Sequence, residues 1–193
     1  MTNLPLTSSQ TVGPFFHDGL LRFDAQRNVL ASPETPGERI RIEGQVYDGD
    51  GQPVPDALIE IWQANTHGRY NHPADRRDLP LDGAFTGFGR SGTDANGAYW
   101  FETIKPGHVP FDDAHLQAPH ICVAVLGRGL LNHAYTRLYF ADDPDTDNDP
   151  MLQLVPVERR GTLLAQPTSN KGMQVYRFDI VLQGAGETVF FNF

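Results

Sequence analysis

Arg39 to Gln45 alternates strictly: Ile40, Ile42 and then Val46 fall on one face, with Arg41, Glu43 and Gln45 between them. A period of two is the signature of a strand buried on one side only. Further strand candidates lie at Ala57 to Gln63, at Ala98 to Phe101, at Ile121 to Leu126 and at Thr136 to Phe140. The alternation returns at Val175 to Leu182, where Tyr176, Phe178, Ile180 and Leu182 make the core-facing set. Turn chemistry separates these runs. Asp48-Gly49-Asp50-Gly51-Gln52-Pro53 joins the first two, which are expected to pair as neighbours, and Asn96-Gly97 is a strong hairpin signal ahead of the aromatic strand. Lys105-Pro106-Gly107 stops that strand, and Thr188 to Phe193 reads as a short closing strand that ties down the terminus. Only Val157 to Ala165 suggests a helix, weakened by Gly161.

Nineteen glycines and fifteen prolines agree with many turns and little helix. The chain is therefore expected to be all-β: a β-sandwich of mixed, mainly antiparallel strands with long loops. Its 193 residues suit one domain over 1–193. Residues 1–38 read as an N-terminal arm, because Thr11-Val12-Gly13-Pro14-Phe15-Phe16 is too irregular for a helix and too aromatic for a free tail. Each exposed phenylalanine would forgo ~1.5–3 kcal/mol of burial, so this domain or a partner chain is expected to cover the arm.

A net charge of -9 and a pI near 5.1 disfavour a nucleic-acid partner, which needs a basic stripe. One cysteine makes no internal disulfide, the opening residues do not resemble a signal peptide, and no run approaches the ~20 apolar residues of a membrane span. The expectation is a soluble cytoplasmic protein.

His120-Ile121-Cys122 has the look of half an emptied metal site. Residues two apart on a strand share a face, so a His-x-His here would aim two imidazoles at one ion, but the second position is a thiol. Taken alone, His120 reads as a structural histidine, and Cys122 as a packed core thiol, since Ile121, Val123, Ala124 and Val125 surround it. The acidic run Asp143, Asp145, Asp147 and Asp149 fails the calcium-loop template. Asn148 stands where glycine is required and Leu154 where a bidentate glutamate is required, leaving a solvated loop as the reading. His67 and His72 lack a third nearby ligand and read as surface or interface residues. Neither a nucleophile-elbow nor a phosphate-loop pattern is present.

Six pieces in order, Gln10-Thr11-Val12-Gly13-Pro14-Phe15, Gly44-Gln45-Val46-Tyr47-Asp48, Ile61-Trp62-Gln63-Ala64-Asn65, Gly68-Arg69-Tyr70, Thr103-Ile104-Lys105-Pro106-Gly107 and Ala118-Pro119-His120-Ile121, resemble the intradiol ring-cleavage dioxygenases. Thr136-Arg137-Leu138-Tyr139-Phe140 and the closing Tyr176-Arg177-Phe178-Asp179-Ile180 and Gly186-Glu187-Thr188-Val189-Phe190-Phe191 resemble the non-catalytic chain of a two-chain member. Catalytic chains of that family hold a non-haem ferric ion with two tyrosines and two histidines. By the resemblance, Arg77 and Val109 stand at the tyrosine positions, His120 matches the first histidine and Cys122 replaces the second.

The resemblance implies no metal on this chain, and Fe(3+) on an iron-bearing companion chain of the same fold, in a hetero-oligomer of such pairs acting on a dihydroxybenzoate and O2. It assigns Thr11, Gly13 and Pro14 of the arm, with Arg128, to the wall of the companion's substrate pocket. Two other readings compete: a stand-alone catechol or hydroxyquinol dioxygenase, which would need the ligands restored, and a non-enzymatic β-sandwich binding module.

Overall fold

The structure is a computed structural model that describes residues 10–13, 18–22, 25–170 and 172–192. Pro14, Phe15, Phe16 and Phe193 therefore lie outside the described residues. Eleven strands are described: β1 (Arg39–Tyr47), β2 (Leu58–Trp62), β3 (Phe88–Gly92), β4 (Ala98–Ile104), β5 (Val109–Pro110), β6 (Leu116–Gln117), β7 (His120–Leu126), β8 (Ala134–Phe140), β9 (Leu164–Asn170), β10 (Met173–Arg177) and β11 (Ile180–Val181). β5 and β6 make a separate hairpin, and the other nine form two faces of a β-sandwich. One runs β3-β2-β7-β8 with antiparallel neighbours, and the other gathers β4, β10 and β11 around β1, with β10 and β11 parallel to it. β9 belongs to both, since Leu164 and Ala165 pair with β8 and Gln166–Asn170 pair with β10.

The core lies between the faces. Ile40, Ile42 and Val46 of β1, with Tyr99, Phe101 and Tyr176, meet Ile59, Ile61, Ile121, Val123, Val125, Leu138 and Phe140 from the opposite face. The alternation read in β1 is fully realised, as every second residue from Ile40 to Val46 is buried. No helix among the described residues is long and apolar enough to cross a membrane.

Two expected hairpins do not form. Asp48 closes its turn as read, accepting from the backbone N–H groups of Asp50 and Gln52, but β1 and β2 do not pair. Pro53 and Pro55 lack the N–H that a ladder needs, so pairing ends at Val54 and the chain crosses to the other face. Asn96-Gly97 likewise makes a turn, capped by Asp94, yet β3 pairs with β2 and β4 pairs with β1. The turn is an arch between faces.

The run Val175 to Leu182 divides into β10 and β11 for an identifiable reason. A Cβ on Gly44 would sit 1.8 Å from the carbonyl oxygen of Phe178, so β1 approaches as only glycine permits. There the ladder is replaced by side chains: Asp179 accepts from the Gln45 N–H at 2.9 Å, and the Tyr99 hydroxyl donates to Phe178 O at 2.6 Å. Tyr176, Phe178 and Ile180 are buried as expected.

The expected helix shortens to α1 (Val157–Arg160) and a following 3-10 turn, because Leu164 already pairs with β8. The closing segment makes a single bridge, Phe191 to Tyr135, rather than a strand. Residues 27–30 are held by this chain itself. Arg27 bridges Arg90 of β3 and Val29 bridges Glu102 of β4, while Asn28 donates to Ser91 Oγ and Trp100 O, so the segment spans the open edges of both faces.

Candidate functional site: a cleft over the outer face of β7

Alternation along β7 buries Ile121, Val123 and Val125 in the core and turns His120, Cys122 and Ala124 to the outer face. Cys122 is therefore not a core thiol. It lies opposite Trp62 of β2 and Arg137 of β8, on the floor of a cleft of about 950 Å³. Ala124 and Leu126 make the outward positions apolar too, which hid the period of two in the sequence.

The cleft collects all four positions singled out by the resemblance: Arg77, Val109, His120 and Cys122 all line it. Arg77 arrives on the long loop after β2. Asn65 knits that loop, its side-chain oxygen accepting from the N–H groups of His67 and Arg69 and its amide donating to Pro80 O. Gly68 then packs on the segment before β5, where any Cβ would collide with His108 O at 1.8 Å. Val109 is fixed by the β5–β6 hairpin, whose turn Asp112 caps through the N–H groups of Ala114 and His115.

His120 is 4% exposed, and its Nδ1 lies 2.8 Å from Ala118 O, so Nδ1 carries the proton and Nε2 is the acceptor. Burial, reinforced by the Arg137 charge, lowers its pKa to about 4 and keeps it neutral. Burial also pushes the Cys122 thiol up, against the pull of Arg137. Tyr70 is raised chiefly by burial and stays a neutral phenol. The Asp75 carboxyl is held well below the usual range, first by its hydrogen bonds from Arg77 and against a burial effect that opposes them. Its oxygens accept from Arg77 at 2.8 and 2.6 Å and from the Tyr70 N–H at 2.8 Å, while Arg77 Nη2 also reaches Gly68 O at 2.7 Å.

Beneath the cleft, Asp149 is 1% exposed and accepts from Ala118 N, the Tyr139 hydroxyl, Met151 N and Leu152 N. The solvated-loop reading fails for this residue. It fixes the entry to β7 and the Tyr139 ring against which His120 packs, 5.8 Å between centroids. The rest of the run is exposed or partly so, with Asp143 paired to Lys105 and Asp145 to His108. His72, read as a surface residue, is exposed but lines the cleft edge-on to Trp62.

Thr11 and Arg128 occupy a different place. Thr11 Oγ1 accepts from Gly129 N at 2.8 Å, docking residues 10–13 on the turn after β7, and Arg128 on that turn is 78% exposed with its Nε 2.8 Å from Asp56. Gly13 is half-buried nearby in the chain, and Pro14 lies outside the described residues. From His120 to Leu126 a strand advances about 20 Å, so this turn lies at the far end of β7 from the cleft.

The family model described as Dioxygenase matches residues 12–184. The protocatechuate 3,4-dioxygenase alpha chain of Burkholderia cepacia is 46% identical over 203 residues, covering 100% of both chains. This chain belongs to the intradiol dioxygenase family. The beta chain of the same Burkholderia enzyme is 39% identical over 95% of this chain and 78% of its own length. Among solved structures, the dioxygenase domain of a dioxygenase–carbohydrate-binding fusion from Streptomyces sp. SirexAA-E superposes with a TM-score of 0.63 at 28% identity, covering 83% of this chain and 89% of that one.

Intradiol dioxygenases depend on iron, and the donors in this cleft do not fit it. Of the four family positions, Arg77 is a cation bound to Asp75, Val109 has no lone pair and Cys122 favours its protonated thiol, leaving His120 Nε2; elsewhere on the wall Asp75 is engaged by Arg77, Tyr70 stays a neutral phenol and His72 is exposed. A hard ferric ion is poorly held by one imidazole beside a protonated thiol and a guanidinium. Among the described residues, three His, Cys, Asp or Glu ligand atoms converge only at His108, Asp143 and Asp145, and those residues do not line the cleft.

Proposed function

We propose that this chain is the alpha subunit of a protocatechuate 3,4-dioxygenase, a cytoplasmic hetero-oligomer of alpha-beta pairs. The enzyme opens protocatechuate with O2 between its two hydroxyl-bearing carbons, giving 3-carboxy-cis,cis-muconate. Iron sits on the beta chain. The alpha chain, a single domain over 1–193 with its arm applied to the partner, completes the beta chain's pocket with Thr11, Gly13, Pro14 and Arg128 and has no catalytic residue of its own.

The observation that carries this reading is the loss of ligands in a family fold that is otherwise kept. Arg77, Val109 and Cys122 leave one usable donor at the four family positions, so ring cleavage needs a second polypeptide. The beta-chain relative supplies a precedent for such a partner. The position of Thr11 and Arg128 adds support, because both sit at the opposite end of β7 from His120 and neither lines this chain's own cleft. Exposed Leu131 and Tyr135 beside that turn offer apolar surface for a partner.

The test is reconstitution. Each chain is purified alone and together with its candidate beta partner, and iron content and protocatechuate turnover are measured. Activity and stoichiometric iron are expected with the beta chain present, and either one in the isolated alpha chain refutes the proposal. Arg128→Ala is then assayed on protocatechuate and catechol. A selective loss on the carboxylated substrate is expected, and equal losses count against Arg128 as its anchor.

A further inference from the structure

The same cleft whose donors reject a cation has acquired the groups that attract an anion. Three arginines, Arg76, Arg77 and Arg137, line it against one carboxylate, Asp75, which Arg77 already neutralises. The cleft thus carries an excess of positive charge within a chain of net charge -9. Arg76 makes no hydrogen bond or ion pair among the described residues. Arg137 is anchored through Nη1 to Gln117 Oε1 at 2.6 Å, and its buried Nε has no partner among the described residues. Arg76 is solvated, and Arg137 spends Nη1 on Gln117 Oε1 and the Tyr139 hydroxyl, so both arginines keep further N–H donors that an incoming anion can take.

The walls fix the remainder of the ligand. Trp62 and Tyr70 stack with centroids 5.9 Å apart and planes within 11°, making a flat aromatic side, and Val109 and Pro110 supply an apolar one. At about 950 Å³ the space lies within the common range for small-molecule sites, about 300–1,000 Å³. The geometry points to a binding site, separate from the pocket-completing surface, for a planar aromatic carboxylate: carboxylate toward Arg137 and Arg76, ring against Trp62 and Tyr70. Arginine suits this role because its planar fork meets carboxylates and its face lies well on aromatic rings. The site needs no metal and no partner chain, so it stands or falls independently of the reading above.

Cys122 is the chain's sole cysteine and lines the cleft, which makes it a local reporter. The full chain is treated with iodoacetamide, a neutral reagent, and alkylation of Cys122 is followed by mass spectrometry against increasing benzoate. Saturable slowing is expected with benzoate and not with benzyl alcohol or cyclohexanecarboxylate at equal concentration. Arg137→Gln is expected to raise the half-protecting concentration by about tenfold, the loss of one charge-assisted contact. Arg76→Gln is expected to raise it by a smaller factor, and since Arg76 is exposed and unpartnered this variant stays informative if Arg137→Gln fails to fold. The absence of saturable protection overturns the proposal. So does equal protection by benzyl alcohol or cyclohexanecarboxylate, or an unchanged response in the folded arginine variants.

Discussion

Burying a neutral histidine makes the fold sensitive to acid, and His120 allows the size of that effect to be worked out. Its pKa is about 4 in the folded chain, set first by burial and then by Arg137, with the Ala118 carbonyl pulling the other way. In the unfolded chain an imidazole titrates near ~6.5. Below that value the unfolded chain takes up a proton that the folded chain refuses. Stability from this group is therefore complete above about pH 6.5 and is lost as the pH falls toward 4. Linkage over the two values gives a loss of about 2 kcal/mol at pH 5 relative to pH 8. Asp75 is also stabilised by its ionised state, but its low folded value places that loss below the ordinary carboxylate range, outside this window. Urea unfolding of the parent and of His120→Gln at pH 8, 6 and 5 isolates the effect. The variant is expected to be less stable at pH 8, with the gap narrowing by about 2 kcal/mol by pH 5. A gap independent of pH, or an imidazole resonance of His120 that titrates near neutrality, would refute the reasoning.

Gly44→Ala forces a Cβ to within 1.8 Å of the Phe178 carbonyl oxygen and must part β1 from β10 and β11. A loss at or above the upper end of the ~1–3 kcal/mol usual for overpacking is expected in denaturant unfolding, whereas Gly83→Ala, with open space around it, is expected to leave the midpoint nearly unchanged. Tyr99→Phe strips the buried partner from that same carbonyl and is expected to cost about 1–3 kcal/mol. Asp149→Ala removes the acceptor of Ala118 N, Met151 N, Leu152 N and the Tyr139 hydroxyl at once. A cost of ~3–5 kcal/mol is expected, together with faster amide exchange at Ala118 and Leu152.

Sequence periodicity revealed which residues face inward, because alternation is a local property: β1, and the Tyr176, Phe178 and Ile180 set, are buried as read. It did not reveal which strands are neighbours. Pro53 and Pro55 after a well-formed turn were the available signal that β1 and β2 would part, and the prolines outrank the turn because a ladder cannot form without donors. The Asn96-Gly97 turn carried no comparable signal; its flanking strands find other partners from afar, and a turn fixes only its own four residues. At the site, the four family positions were legible as letters and converge in space. Their surroundings were not. Arg137 enters the cleft through the pairing of β8 with β7, Trp62 through that of β2 with β7, and Asp149 through a buried turn within an acidic run whose composition suggests only solvent.

A metal normally cross-links the segments that supply its ligands, so losing the ligands ought to loosen the cleft. Here other bonds close it. Arg77 ties its own loop together through Asp75 and Gly68 O, the glycine contact at Gly68 locks that loop onto the segment before Val109, and Asp149 holds the start of β7 through Ala118 N. Each of these links is satisfied within the protein and none uses a ligand atom that iron would need. On the proposed reading the architecture persists without iron chemistry, and the arginines on the cleft wall agree with that reading because their charge would repel a ferric ion. On that reading, the missing iron donors and the proposed anion site are two aspects of one positive cleft.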